Sequence, residues 1–169
     1  MRAAVFLLFL LTVTAPAVAQ RQPLGIFFRW GAYQEKGAQS CFAMAQPVNS
    51  AGPGAWRPFA SVSFWPGQAI ASQLHVRLSR PIRQGSAVIA KIDGRSFQLN
   101  GRGADAWAPN PSADAAIVAA MRPGANMSVE SRSVPGGRIR ERYLLRGAAS
   151  AIDAAALACA ARPAGKKPR

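Results

Sequence analysis

The chain has 169 residues, with 21 Lys and Arg against 7 Asp and Glu, a formal net charge of +14, two Cys and one His. That length suits one domain with a real hydrophobic core. So few acids and a single imidazole leave little material for a metal centre or a dense catalytic constellation, while the charge favours acidic partners without choosing among them.

At the start, Arg2, the apolar run Ala3 to Val13 and the small residues Ala17-Val18-Ala19 follow one another as in a cleavable secretory signal. The run weakens at Thr12, Thr14 and Pro16, short of the about 20 apolar residues that a retained membrane helix needs. No Cys follows Ala19 directly, so a lipid-modified amino terminus is not expected. With residues 1–19 removed, 150 residues remain, and the loss of Arg2 lowers the net charge from +14 to +13. No second apolar stretch of membrane length follows. The expected location is therefore the periplasm, the cell surface or the outside, with no transmembrane segment in the mature chain.

The mature part reads as short strands separated by Gly and Pro. Leu24 to Trp30, Ser40 to Gln46 and Phe59 to Trp65 are three such runs. In Gln73 to Leu78 the apolar Leu74, Val76 and Leu78 alternate with Gln73, His75 and Arg77, the pattern of a half-buried strand. Ala87 to Ile92 and Ser96 to Asn100 flank Asp93-Gly94 and predict a hairpin, because both turn residues tolerate positive φ. A helix follows over Pro111 to Met121, capped by Asn110, opened by Pro111 and stopped by Pro123-Gly124, with Ile117, Val118 and Met121 on its apolar side. Met127 to Val134 and Arg138 to Leu145 flank Pro135-Gly136-Gly137 as a second hairpin. The last element is a helix over Ala148 to Ala160, with Ile152, Ala155, Ala156 and Cys159 at helical spacing, which turns Cys159 inward. The predicted fold is mainly β with two short helices: one antiparallel β-sandwich or barrel-like domain over residues 20–161, followed by a disordered basic tail over residues 162–169.

Cys41 and Cys159 in an exported chain predict one disulfide between an early strand and the last helix. No Cys-x-x-Cys spacing is present, and His75 is the only imidazole ligand. The pair is architectural, and neither a metal nor a cofactor is expected. Among the acids, Asp93 serves its turn, Asp114 the first turn of a helix and Asp153 an exposed helix face. Glu35, Asp105, Glu130 and Glu141 have no local task, although Glu130 and Glu141 can pair with strand arginines. His75 falls opposite its strand's apolar face and is expected to be solvated or partner-facing. There is no Gly-x-Ser-x-Gly elbow, P-loop, dinucleotide fingerprint or His-Glu-x-x-His helix.

Two surface expectations remain. Adjacent strand residues point opposite ways, so in Phe64-Trp65-Pro66 only one aromatic can be inside, and this is the expected exposed aromatic site. Arg138, Arg140 and Arg142 recur at period two and project from one face, with Arg132 on the facing strand extending the stripe. The stripe is a candidate anion-binding surface.

The exported start, Ser40-Cys41-Phe42-Ala43-Met44-Ala45-Gln46-Pro47 after Trp30, the stretch Ala113 to Gly124, and Tyr143-Leu144-Leu145-Arg146-Gly147-Ala148 running to Cys159 resemble the invasion-associated locus B family of secreted α-proteobacterial proteins. The resemblance covers most of Trp30 to Cys159. Ala148 stands where that family carries an aromatic after the glycine, and some relatives have more cysteines, so the chain resembles a divergent member. The resemblance implies a compact β-rich fold, an envelope or surface location, a link in some relatives to host-cell entry, and no catalytic residues. The expected function is that of a non-enzymatic envelope protein, concerned with host-cell interaction or envelope stress and meeting a host or envelope protein. The alternatives are a binder of anionic envelope glycans through the arginine stripe and, second, a hydrolase. A pocket enclosing two or more of Glu35, Asp105, Glu130 and His75 would favour the hydrolase. Nucleic acid is not the expected partner, since export removes the usual targets and no nucleic-acid motif is present.

Intact mass measurement of the protein recovered after export should give a chain that begins at or next to Gln20; retention of Met1 would contradict the leader.

Overall fold

A computed structural model describes residues 21–37, 39–49, 57–68 and 70–160; the expected leader over residues 1–19 and the tail over residues 162–169 lie outside them. Ten strands form one antiparallel sheet: β1 Arg21–Phe27, β2 Trp30–Glu35, β3 Ser40–Ala45, β4 Phe59–Trp65, β5 Ile70–Arg77, β6 Val88–Ile92, β7 Arg95–Arg102, β8 Asp105–Trp107, β9 Asn126–Arg132 and β10 Arg138–Leu144. Helix α1, Pro111–Met121, precedes β9, and helix α2, Ala148–Ala160, follows β10. The strand order is β1-β2-β3-β4-β5-β8-β7-β6-β9-β10. The connection from β5 to β6 therefore passes over one end of the sheet, tied down by Ile82 N–H to Gly103 O and Arg83 N–H to Arg132 O. The expected β-rich class with two helices is the observed one.

Alternation explains the two faces. Along β3, β5, β6, β9 and β10 every second residue is buried: Cys41, Ala43 and Ala45; Leu74 and Val76; Val88, Ala90 and Ile92; Met127, Val129 and Ser131; Ile139, Glu141 and Tyr143. These side chains form the inner face. The sheet curls until its far end meets its beginning, but no ladder joins β10 to β1. Instead the fully buried Trp30 donates its indole N–H to Leu144 O at 2.9 Å, and the chain just after β3 lies along the outer edge of β10. There Val48 N–H reaches Arg142 O at 2.7 Å, while the Asn49 amide donates to Arg140 O at 2.8 Å and accepts from Arg142 N–H at 2.7 Å. One side-chain amide thus satisfies an edge that would otherwise be open to another strand.

Helix α2 lies across β1 to β4, and small side chains set how closely it approaches. Ala148, Ala151 and Ala155 on the helix and Ala32, Ala43 and Ala60 on the strands are all buried. Gly147 lets the chain turn into this helix. Its φ is +89°, and a Cβ there would lie 2.1 Å from Phe27 O, so no other residue fits without moving β1. The expected disulfide is present between Cys41 and Cys159, with Cα atoms 5.8 Å apart.

Helix α1 begins as its sequence dictates, with the Asn110 side chain accepting from Ala113 N–H at 2.9 Å and Pro111 in the first turn. Asp114 does more than occupy that turn. It is buried and accepts from Leu74 N–H at 2.7 Å, replacing the strand partner that β5 lacks beyond the end of the three-residue β8. Burial pushes its carboxyl above the ordinary value, and the Leu74 hydrogen bond works against that shift.

The Asp93-Gly94 turn forms as expected, with φ of +42° and +87°. Asp93 also accepts from Ala125 N–H and Asn126 N–H. Two expectations need correction. Leu24 to Trp30 is not one strand: the chain reverses at Phe28-Arg29, where Phe28 takes φ of +57° without any Gly, Asn or Asp to announce a turn. Glu141 does not pair with a strand arginine either, because it points inward, is 2% exposed and accepts from Ser79 N–H at 3.2 Å.

The disulfide closes a separation of 118 residues, so replacing Cys41 and Cys159 by Ser should lower the unfolding free energy by about 2–5 kcal/mol. Denaturant titration of the two proteins measures this, and an unchanged midpoint would remove the bridge from the account of stability.

Candidate functional site

The outer face of the sheet carries two distinct groups of polar side chains. The first lies on β6, β9 and β10. Arg138, Arg140 and Arg142 are all exposed on β10, between the buried Ile139, Glu141 and Tyr143. The stripe is therefore a real row at every second position, about 7 Å from one residue to the next. Register sets Arg138 directly opposite Arg132, Arg140 opposite Glu130 and Arg142 opposite Ser128. Glu130 contacts Arg140 Nε at 3.1 Å and Lys91 Nζ at 3.5 Å, as expected for a strand acid among cations. Among the described residues no carboxylate pairs with Arg132, Arg138 or Arg142.

Like charges placed directly opposite on neighbouring strands destabilise a sheet, so the Arg132–Arg138 pair works against the ladder, offset in part by the Arg132 hydrogen bond to Gly136 O at 3.5 Å. Arg80 adds to the same end of β10 by donating to Arg138 O at 3.1 Å. Two grooves lie on this face. One of about 390 Å³ is bordered by Lys91, Glu130, Arg132 and Arg138, and one of about 480 Å³ by Val48, Lys91, Arg140, Arg142 and Leu144. Lys91 borders both. The arrangement offers separated cationic centres to an extended ligand and no nucleophile with a base.

The second group lies on β4, β5 and β8. His75 Nε2 is 2.8 Å from Asp105 Oδ1, and Arg77 closes on the same carboxylate through Nε at 3.0 Å and Nη2 at 3.1 Å. The imidazole stacks on Trp107 with ring centroids 5.0 Å apart, and it meets Phe59 edge-on at 5.2 Å. His75 is therefore not a freely solvated side chain, because two rings and a carboxylate fix it on a half-buried part of the sheet. Burial raises the Asp105 carboxyl, but the hydrogen bonds and charges of Arg77 and His75 outweigh it and hold the group below the ordinary carboxylate range. Sequence reasoning left Asp105 without a task because its partners are 28 and 30 residues away. The pairing of β5 with β8 brings them together.

The other acids named from the sequence do not join this pair. Glu35 meets Arg21 at 3.8 Å, and Glu130 belongs to the arginine face. Ser61 lies opposite His75 on β4, but its hydroxyl is directed at the His75 backbone carbonyl, 3.4 Å away. Phe64 packs against the core and Trp65 is half-buried, so among the described residues the exposed aromatic is Phe28 and not the Phe64-Trp65 pair. No group of three or more His, Cys, Asp or Glu that could hold a metal occurs among the described residues. No helix among them is long and apolar enough to cross a membrane. Comparison with family models, with curated proteins and with solved structures returns no match to this chain.

Because the Asp105 pKa is lowered by folding, its ionised form stabilises the native state. That contribution is complete above the ordinary aspartate value of 3.8 and is lost as pH falls through the lower folded value. Asp105→Asn should therefore be less stable than the parent at neutral pH, and the difference should shrink as pH is taken below 3.8. Thermal unfolding across that range checks it, and a difference that does not depend on pH would contradict the assignment.

Proposed function

We propose that this chain is a non-enzymatic exported protein of the cell envelope that binds an acidic glycan or related anionic polymer through the β6–β9–β10 face. The observation that carries the reading is the arginine face itself: Arg132 and Arg138 stand opposite each other, Arg142 continues the row, and among the described residues none of the three has a carboxylate partner. Arg guanidinium groups match carboxylate and phosphate geometry in a bidentate fashion, and a polymer presents such groups in succession. Export is supported by the leader pattern of residues 1–19 and by the Cys41–Cys159 bridge, which suits an oxidising compartment. The resemblance to the invasion-associated locus B family fits the same location. Membership as a divergent relative, with a role in host-cell interaction or envelope stress, is the corresponding proposal.

A hydrolase is the second reading, favoured only by the His75–Asp105 contact. Arg77 occupies both oxygens of that carboxylate, and the neighbouring Ser61 hydroxyl faces a backbone carbonyl. A nucleophile activated by the imidazole is missing from this arrangement. Binding is therefore ranked above catalysis.

Binding of the mature protein to acidic envelope glycans should be measurable at low salt and should fall steeply toward physiological ionic strength, where the Debye length is about 8 Å. Replacing Arg138, Arg140 and Arg142 together by Gln should weaken it by at least about tenfold with the melting temperature nearly unchanged, since surface charges contribute little to stability. Equal binding by parent and variant would reduce the row to a solvated sheet face.

A further inference from the structure

Large apolar side chains are exposed at only a few described positions, among them Ile26 and Phe28 at the β1–β2 hairpin and Val48 and Leu144 beside the edge of β10. Ile26 is 67% exposed, Phe28 63%, Leu144 42% and Val48 39%. Ile26 and Phe28 flank the end of β1, with Phe28 on the two-residue turn into β2. They share a groove of about 340 Å³ with Arg29 and Pro47, which puts the segment after β3 beside the hairpin. Val48 and Leu144 border the neighbouring groove together, and Trp30, at the start of β2, is bonded to Leu144 O. Isolated exposed apolar residues need no explanation, but a contiguous group marks an interaction surface.

The turn supplies a second observation. Phe28 is the first of its two central residues and has φ of +57°, a place that glycine normally fills in such hairpins. A bulky side chain is strained there. Glycine would relieve the backbone at the loss of only a mostly exposed ring and its contact with Arg146. The ring lies beside Gly147 on one side and is otherwise mostly open to solvent. The Arg146 guanidinium lies over the ring at 3.8 Å, and Arg29 follows Phe28 on the turn. Asp93, the acid bordering the neighbouring groove, is engaged by the N–H groups of Ala125 and Asn126.

We infer that this end of the molecule docks onto an anionic lipid surface, with Phe28 and Ile26 entering the headgroup region and Arg29 and Arg146 meeting the lipid phosphates. The chemistry is complementary on both counts: apolar side chains leave water and cations meet a negative surface. A projecting aromatic turn flanked by arginines suits a deformable lipid surface, which needs no matching pocket. The inference rests on Ile26, Phe28, Arg29 and Arg146 at the hairpin; Val48 and Leu144 belong to the adjoining β10 groove with Arg140 and Arg142.

Sedimentation of the full mature protein with vesicles tests it, using phosphatidylglycerol mixed into phosphatidylcholine against phosphatidylcholine alone. The parent should bind the mixed vesicles and leave the neutral ones in solution. Ile26→Ser with Phe28→Gly should weaken binding by at least about tenfold, and Arg29→Gln with Arg146→Gln should also weaken it. Glycine suits the backbone at position 28, so a folded Phe28→Gly protein is expected, and its melting temperature is the control. The Arg138, Arg140 and Arg142 triple variant should keep most of its vesicle binding even if glycan binding is lost or was never present. Failure of the parent to bind mixed vesicles would overturn the inference, as would equal binding by the Ile26 and Phe28 variant. Two further results would do the same: loss of binding only in the triple variant, or a dimer that the Ile26 and Phe28 substitutions dissolve.

Discussion

An antiparallel sheet that hides one face needs something to lie against it, and here the cover for β1 to β4 comes from the far end of the described chain. Helix α2 can approach because both surfaces are built of alanine, and Gly147 brings the chain within reach of Phe27 O where any Cβ would collide. The covalent link between Cys41 and Cys159 then holds helix and strand together. Other features follow from that closure. Trp30 is buried near the start of the helix with its indole satisfied by Leu144 O, and the chain after β3 is placed where Asn49 can serve the edge of β10.

Polar groups are sorted by face with few exceptions. Inward-facing Asp114 and Glu141 each accept a backbone N–H that the sheet leaves unpaired, at Leu74 and Ser79. Buried carboxylates of this kind are structural acceptors, since a buried amide without a partner costs about 1–3 kcal/mol. On the outer face, charge serves the surface. Glu130 neutralises the middle of the β6–β9–β10 face, while the arginines at its ends have no carboxylate partner among the described residues. The His75–Asp105–Arg77 group fixes an aromatic row on the neighbouring part of the same face and gives the sheet a rigid polar centre.

Much of this was legible in the sequence wherever the signal is local. Asn110-Pro111 and Pro123-Gly124 bracket α1, Asp93-Gly94 makes its turn through two positive φ angles, and alternation gives the outward row of Arg138, Arg140 and Arg142. The two cysteines had one plausible use. What escaped was decided by distant pairing or by strain. Strand β8 has three residues and exists because β5 and β7 flank it, so neither it nor the contact of Asp105 with His75 has a local pattern. The turn at Phe28-Arg29 contains no turn-forming residue, and tertiary context overrides what its sequence prefers. Glu141 is the exception, since the alternation that turns Arg140 and Arg142 outward also turns it inward, and that local signal was present in the sequence.

The separation of Cys41 from Cys159 also dictates a schedule. A chain that emerges from its amino-terminal end presents β1 to β4 long before residues 148–160 are available to cover them, and the thiol of Cys41 has no native partner until nearly the whole domain has appeared. The first half can pair its strands locally, but it cannot complete its inner face. Native closure of that face therefore waits for the final helix. Correct thiol pairing is then a report that the last helix has found its place.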